Sequence, residues 1–406
     1  MELTSPWSEL LSAGDRAALD PGVADDLPRR PDVLVVGGGI LGATTADACA
    51  GAGAGSVLLV DKATLGSGAT RGAAGLLVPE SHAGADPEPL VELGRRSLVR
   101  WRQLEAEVPG GVGLSEMDWI ALEPHRPGLL DALGAGAERL DERQVAGLAP
   151  GLARPVPGLR IRQARVNPLA AVARLVARRR GQVSVATGVE VVSAELAGDR
   201  VRSVTTTAGP IAPGVVVLAT GESPRLPGLD LDLPTGLVKG HLLLTARSGG
   251  PVPGAGAVRG AGAVRDAGLG TGLPGSLGAI ATDLGEGRLL AGGTLDVDDR
   301  SPEVRDEVIA ALRADLVSAV PAMAAVPLTH AWCCFRPAHP DRMPVVDQVP
   351  GLSNAWVTSG HFRTGILVAP ATGAALAAWI TGGRPPPEVA AFVAARLRRT
   401  PGNGSP

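Results

Sequence analysis

The sequence contains no tyrosine, and only 3 phenylalanines and 3 cysteines occur among its 406 residues. The cysteines (Cys49, Cys333 and Cys334) are too few for a disulfide framework, so we expect a protein of the reducing cytoplasm. Alanine, glycine and proline are abundant instead. This bias indicates base-composition pressure on the coding sequence rather than a functional signature.

A dominant charge and a long hydrophobic run are also missing. The 38 basic and 41 acidic residues leave a formal charge of −3, which attracts neither nucleic acid nor an anionic membrane. The one basic run, Arg178 to Arg180 before Gly181, is typical of a helix end. Residues 1–30 lack the pattern of an export signal. The longest apolar stretch, residues 365–380, contains a proline and is too short to cross a bilayer. We therefore expect no nucleic-acid and no membrane partner.

The pattern of apolar residues predicts a mixed α/β chain. A fully apolar strand (32–36), a glycine-rich turn, a helix to about residue 53 and a second strand (56–61) form a parallel crossover unit. Further predicted elements are strands at 183–185, 189–196, 201–207, 215–219, 237–245, 288–292, 329–335 and 355–358, and helices at 302–320 and 365–380. Residues 249–278 lack periodicity, and a long loop over a site and partial disorder both stay open.

Three glycines follow the first strand with the spacing of a dinucleotide-binding fingerprint. Gly37 suits the tight turn, Gly39 a close approach to pyrophosphate, and Gly42 close packing of helix on strand. The helix amino terminus presents free N–H groups to the phosphates. Asp61 ends the second strand, where a carboxylate accepts hydrogen bonds from ribose hydroxyls. The fingerprint alone fits NAD as well as FAD, but the second small-residue loop, residues 66–75, favours FAD because its backbone can lie against a flat ring system.

Four segments resemble the D-amino acid oxidase superfamily of FAD-dependent oxidoreductases, most closely its glycine oxidase branch. The resemblance covers nearly all of residues 32–382. The segments that carry it are 33–61 with the following loop, 215–221, 335–347, and 359–372, which reads Ser-Gly-His-Phe-Arg-Thr-Gly-Ile-Leu-Val-Ala-Pro-Ala-Thr.

The resemblance implies an α/β fold in which a Rossmann-like FAD-binding domain of the GR2 type is joined to an α+β substrate domain built on a large mixed or antiparallel sheet. Both domains are expected to be discontinuous. The FAD-binding domain would comprise residues 31–113, 167–235 and 336–395, and the substrate domain residues 114–166 and 236–335. Residues 1–30, with a short amphipathic stretch from Trp7 to Leu19, would form an N-terminal extension on the surface or against another subunit, and residues 396–406 a flexible tail.

For activity, the resemblance implies that FAD accepts a hydride from the carbon beside the nitrogen of a small amino acid or N-substituted glycine-like amine. The imine would hydrolyse to a keto or aldehyde product plus amine. The expected partners are this substrate and O2 or another electron acceptor, and a homo-oligomer stays open.

Individual roles follow from matching positions. Arg336 would pair with the substrate carboxylate, which suits a planar guanidinium fork. Arg363 is either a second substrate contact or a structural ion pair, His361 packs beside the cofactor, and His241 lies on a strand along the cavity floor. Ile280 falls about where glycine oxidases place a tyrosine, so a larger or N-substituted amine becomes credible as the substrate.

The predicted residues are grouped by role. Arg336, Arg363 and His361 are predicted as catalytic, and Arg336, His241 and Ile280 as substrate-binding, with no metal site. The predicted cofactor-binding residues are Gly37, Gly39, Ile40, Leu41, Gly42, Asp61, Lys62, Ser67, Thr70, Arg71, Ala74, Gly75, Leu76, Val189, Thr220, Gly221, Arg336, Gly360, His361, Arg363, Thr364, Gly365 and Ile366.

Several alternatives stay open. Cys334 lies where related sarcosine oxidases carry a cysteine bonded to the flavin, so a covalently flavinylated secondary amine oxidase is one. A flavin dehydrogenase of a specialised biosynthetic intermediate is another. A nicotinamide dehydrogenase and a non-catalytic flavoprotein subunit are the remaining two.

Overall fold

The computed structural model describes residues 1, 4–83, 86–122, 137–149, 151–222, 225–248, 257–259, 280–284 and 287–399. The helices are α1 (Ala13–Leu19), α2 (Ile40–Gly51), α3 (Ala69–Gly72), α4 (Glu88–Glu107), α5 (Glu142–Leu148), α6 (Pro168–Arg178), α7 (Asp306–Ala319) and α8 (Gly365–Gly382). Short 3-10 helices span Pro6–Ser8, Pro79–His82, Pro321–Ala325, Pro387–Phe392 and Ala394–Arg399.

The strands alternate with these helices along the chain. They are β1 (Val33–Val36), β2 (Val57–Asp61), β3 (Leu76–Leu77), β4 (Leu114–Leu122), β5 (Glu138–Leu140), β6 (Gly158–Val166), β7 (Val183–Thr187), β8 (Val191–Ala197), β9 (Arg200–Thr206), β10 (Gly209–Ile211), β11 (Val215–Gly221), β12 (Gly236–Thr245), β13 (Ala257–Arg259), β14 (Ile280–Asp283), β15 (Leu289–Gly292), β16 (Leu328–Ala338), β17 (Val345–Gln348) and β18 (Ala355–Ser359).

The first sheet has six strands in the order β17-β18-β11-β1-β2-β7. All neighbours are parallel except the edge pair β17 and β18. Every residue of β1 is buried, as expected for a central parallel strand covered on both faces. Helices α2, α6 and α8 share one apolar core on one face, and the small sheet β10-β9-β8 contributes to the core on the other.

Helix α8 lies in this core beside α2. Gly373 makes the close approach, because a Cβ there would lie 2.6 Å from the Thr44 carbonyl oxygen. At 18 residues α8 is long and apolar enough to cross a membrane by length and composition, so the expectation that this stretch is too short was wrong. However, 61% of it is buried inside the protein, and it packs against α2 and α4 as a core helix does.

The second sheet has nine strands in the order β16-β12-β15-β14-β13-β4-β6-β3, with β5 beside β6. Its neighbours are antiparallel except β13 and β4. Helix α7 covers β12 and β15 with an apolar face. The arrangement confirms the predicted fold class. Most of the aperiodic stretch 249–278 lies outside the described residues, apart from β13.

Two differences from the sequence-based elements bear on the site. β16 continues to Ala338 because it pairs with β12 over its whole length, so Arg336 lies within this strand and not just after it, as the predicted strand 329–335 implied. The amphipathic stretch from Trp7 to Leu19 divides into a 3-10 turn and α1, because Ser12 caps α1 through a capping box with Asp15. Trp7 is only 2% exposed, so this segment is packed into the protein.

Candidate active site

A cavity of about 1030 Å³ lies between the two sheets. The ends of β1, β2, β11 and β18 form one wall, and β12, β15 and β16 form the other. This volume is at the upper end of the range for ligand pockets, enough for a large organic cofactor with a small substrate beside it. The cavity meets the parallel sheet at the carboxyl ends of its strands, where ligands of open α/β sheets bind.

The turn after β1 lines the cavity and packs closely on the neighbouring strand β11. Gly37 has φ of 103°, and a Cβ there would lie 2.4 Å from the Ala219 carbonyl oxygen. Gly42 does not line the cavity, because it faces inward: a Cβ would lie 1.8 Å from the Gly37 carbonyl oxygen. The Asp61 carboxylate accepts hydrogen bonds from the Gly38 amide at 2.6 Å and the Ala63 amide at 2.8 Å. These bonds hold the carboxylate at the cavity wall.

The second loop, residues 66–75, lies across this turn. The hydroxyl oxygen of Thr70 accepts a hydrogen bond from the Ile40 amide at 3.1 Å and so ties the loop to the first turn of α2. Gly72 packs directly on β16, since a Cβ there would lie 2.2 Å from Cβ of Cys334. Arg71 is exposed and is not among the residues that line the cavity.

Arg336 lines the cavity and has no ionic partner among the described residues. Its Nη1 donates to the Thr294 carbonyl oxygen at 2.8 Å, and no described carboxylate lies within ion-pair distance. Burial lowers the pKa of the guanidinium, and nearby Arg363 lowers it further. Gly240, on the neighbouring strand, provides the space, because a Cβ there would lie 2.1 Å from Nη1. A half-buried cation without an ionic partner is stabilised by an anionic ligand.

Arg363 also lines the cavity but has a protein partner. Its Nη2 lies 3.0 Å from a carboxylate oxygen of Asp86, which also pairs with His82. The guanidinium lies 5.3 Å from the ring centre of Phe362, close enough for a cation–π contact. Of the two roles predicted for Arg363, the geometry therefore favours the structural ion pair.

Both predicted histidines are buried at the cavity wall and neutral near pH 7. Burial, with nearby His339, lowers the pKa of His361 to about 3, and Thr358 lies within hydrogen-bond distance of its Nε2. Burial, followed by the charges of Lys239 and Arg305, lowers the pKa of His241 to about 4. Nε2 of His241 accepts from the Arg305 amide at 3.3 Å, and Nδ1 lies 3.3 Å from the Thr294 hydroxyl. His241 is therefore held by structural hydrogen bonds.

Most predicted site residues line this one cavity. The exceptions are Gly42, Arg71, Thr364 and Ile280. Thr364 is buried, and its hydroxyl donates to the His361 carbonyl at the start of α8. Ile280 begins β14, but its side chain lies outside the described part of the chain. Lys239 is fully buried, and its ammonium donates to Asp299 at 2.7 Å and to Ser301 at 3.1 Å.

Three features of the cavity wall were not predicted. Thr294 orients both Arg336 and His241, and only its place after the Gly292-Gly293 pair hinted at a turn near a ligand. The second is His339, whose ring packs against Gly360 and whose Nε2 lies at hydrogen-bond distance, 3.0 Å, from the Ser359 hydroxyl. The third is the carboxylate of Asp86, which no sequence motif marked.

Comparison with known proteins identifies the family. The family model described as FAD dependent oxidoreductase matches residues 32–379. The chain belongs to this family. Its cofactor is FAD, and the glycine-lined turn, the fixed Asp61 carboxylate and the small-residue loop fit a dinucleotide that ends in a flat ring.

Known proteins resemble the chain over different lengths. A glycine oxidase from Pseudomonas aeruginosa is 30% identical over 191 residues, or 46% of this chain and 47% of that protein. The chain thus spans about half the length of this relative. A glycine oxidase from Bacillus licheniformis is 27% identical over 87% of this chain and 94% of that protein. The crystal structure of glycine oxidase from Geobacillus kaustophilus superposes with a TM-score of 0.77 and 25% identity, covering 92% of this chain and 100% of that one.

Proposed function

We propose that this FAD-dependent oxidoreductase oxidises the C–N bond of a small amine that carries one carboxylate, either an amino acid or an N-substituted glycine. The observation that carries the proposal is the uncompensated Arg336 at the cavity wall. A substrate carboxylate would supply the missing negative charge through a bidentate pair. Arg363 is already neutralised by Asp86, which favours a substrate with a single carboxylate.

Bound FAD supplies a two-electron acceptor for the hydride that leaves the carbon beside the nitrogen. The protein's contribution is orientation. Thr294 and Gly240 set the position of the Arg336 guanidinium, and the carboxylate it anchors places the neighbouring carbon in the cavity. The amine nitrogen must be unprotonated, because its lone pair assists the departure of the hydride from the neighbouring carbon. The imine product then hydrolyses to a keto or aldehyde compound plus amine.

Two details narrow the proposal. The sequence contains no tyrosine, so no phenol helps Arg336 to hold the carboxylate, and amines larger than glycine are favoured. Cys334 lines the cavity, but burial raises the pKa of its thiol. Since the thiolate is the nucleophile, this favours non-covalent FAD over the covalently flavinylated alternative. The free thiols of Cys49, Cys333 and Cys334 support a cytoplasmic location.

The test is an anaerobic screen of the FAD-loaded protein for loss of the oxidised flavin absorbance. We expect bleaching by amino acids or N-alkylglycines, and none by the matched amines that lack a carboxylate. Equal bleaching by both sets would show that Arg336 does not select the substrate. If no amine bleaches the flavin, the proposed reaction is ruled out. Admitting oxygen afterwards separates an oxidase, which recovers its colour, from a dehydrogenase.

A further inference from the structure

The N-terminal segment, defined here as residues 4–20, lies outside the region that the family model matches, which begins at residue 32. It is nevertheless anchored to the body of the protein at several points. Asp15 pairs with Arg174 on α6 at 3.1 Å, and Glu9 lies 2.8 Å from His330 on β16. The Leu19 carbonyl accepts a hydrogen bond from Leu65, just before the second cofactor loop. The segment therefore has one defined position against that loop.

Trp7 makes the most specific of these contacts. Its indole N–H donates to the Ala73 carbonyl at 2.8 Å, and Asn167 donates to the Trp7 carbonyl at 3.2 Å. The ring also packs on Gly75, where a Cβ would lie 3.4 Å from it. A second indole, that of Trp332 on β16, donates to the preceding loop carbonyl, Gly72, at 3.1 Å. Two successive peptide groups of the loop are thus held by tryptophans.

The two peptide groups differ in what their N–H can do. A trans peptide directs its C=O and its N–H in opposite directions, so a fixed carbonyl also fixes the amide of the next residue. The peptide held by Trp332 carries the Ala73 N–H, which donates to the Thr70 carbonyl within the loop at 3.3 Å. The peptide held by Trp7 carries the Ala74 N–H, which has no acceptor among the described residues. Ala74 lines the cavity, whereas Trp7 does not.

We propose that Trp7 is a positioning residue for the cofactor: by holding the Ala73 carbonyl it aims the Ala74 N–H into the cavity, where the amide donates to the ring system of bound FAD. The inference rests on FAD binding in this cavity. Reduction adds electrons to the ring, so an amide donor that faces it stabilises the reduced form more than the oxidised form. The N-terminal segment thereby tunes the flavin potential without contacting the flavin.

The direct test is Trp7→Phe, which keeps a buried aromatic ring but removes the indole donor. We expect the dissociation constant of FAD to rise roughly three- to tenfold, the usual effect of one neutral hydrogen bond. We also expect the two-electron midpoint potential of the bound flavin to fall. The fall is about 30 mV for each tenfold by which the Kd of reduced FAD rises more than the Kd of oxidised FAD. A midpoint potential equal to that of the wild type would overturn the proposal, whatever the change in FAD affinity.

Trp332→Phe is the matched control, since it removes the same kind of bond from the adjacent carbonyl, whose amide partner stays inside the loop. The flavin midpoint potential of Trp332→Phe should match that of the wild type. A fall as large as that caused by Trp7→Phe would overturn the proposal, because it would show that the loop is loosened in general. Ala74→Pro removes the amide itself, and Ala73, with φ −70° and ψ 151°, already suits a residue before proline. Adding Trp7→Phe to Ala74→Pro should cause no further fall, whereas additive falls would contradict the proposed coupling. The comparison of the two tryptophan variants decides the question even if Ala74→Pro does not fold.

Discussion

Gly240→Ala is the sharpest test of the carboxylate site, because it perturbs Arg336 without removing it. The added methyl carbon would lie 2.1 Å from Nη1 and 2.2 Å from Nη2. Carbon and nitrogen atoms normally stay more than about 3.4 Å apart, so the guanidinium must move by about 1 Å. Gly240 does not have a positive φ, so its backbone accepts alanine, and the flexible arginine side chain is the part that yields.

The expected consequence is a loss of positioning. A displacement of about 1 Å costs on the order of 100-fold in rate, or about 2.7 kcal/mol in the activation free energy. We therefore expect kcat/KM to fall by that order, and the Kd of a small carboxylate without an amine, followed by its effect on flavin absorbance, to rise. Thermal unfolding of the FAD-loaded protein should change little.

Gly236→Ala on the same strand is the control, since the nearest atom to its added methyl is the Ala338 carbonyl oxygen at 3.7 Å. It should bind the carboxylate probe with the wild-type Kd. If Gly240→Ala also binds the probe and turns over substrate like the wild type, the carboxylate is not held by Arg336 in its observed position, and the proposed substrate orientation is refuted.

In steady-state assays with one substrate, Arg336→Leu should lower kcat/KM by a factor that corresponds to about 2–5 kcal/mol of activation free energy, because the charge pairing with the carboxylate is lost. Arg336→Lys should lower kcat/KM by less. Equal kcat/KM values for Arg336→Leu and the wild type would show that the carboxylate is held elsewhere. Acid precipitation should leave all the yellow colour in the supernatant, because desolvation raises the pKa of the half-buried Cys334 thiol; colour in the pellet would show a covalent bond. His241 has its folded-state pKa depressed to about 4, below the unfolded value, so it contributes stability that is present above pH 6.5 and is lost as the pH falls toward 4. Over that pH range the free energy of unfolding should fall less steeply in His241→Gln than in the wild type, by at most about 1.4 kcal/mol per pH unit. The same pH slope in denaturant titrations of both proteins would contradict this.

The sequence predicted the features that depend on the spacing of residues over a short stretch of chain. The strand before Gly37, the turn itself and Asp61 follow from local spacing, because a phosphate-binding turn needs small residues at fixed intervals. Arg336 followed from family resemblance. Its extended strand was missed because the proline at position 337 suggests a turn, whereas pairing with β12 across a distant segment keeps the chain extended to Ala338.

The contacts that sequence could not supply join residues far apart along the chain. Asp86 and Arg363 are separated by 277 positions, so only the folded structure decides that Arg363 is an ion-pair partner. The same holds for Thr294, which follows β15 and whose carbonyl accepts a hydrogen bond from Arg336 over the intervening strand β12. The packing of the N-terminal segment was missed for a related reason, since its partners lie on α6, β16 and the second cofactor loop.

The strand order of the first sheet has a consequence for how the protein is made. β1 pairs on one side with β2, which follows it closely in the chain, but its other neighbour is β11, and β11 in turn pairs with β18, so these central strands are complete only after residues up to about position 359 have been synthesised. Contacts of such long sequence separation form slowly. While the chain is on the ribosome, the edge of β1 that later pairs with β11 therefore stays unpaired, and an unpaired strand edge is prone to aggregation.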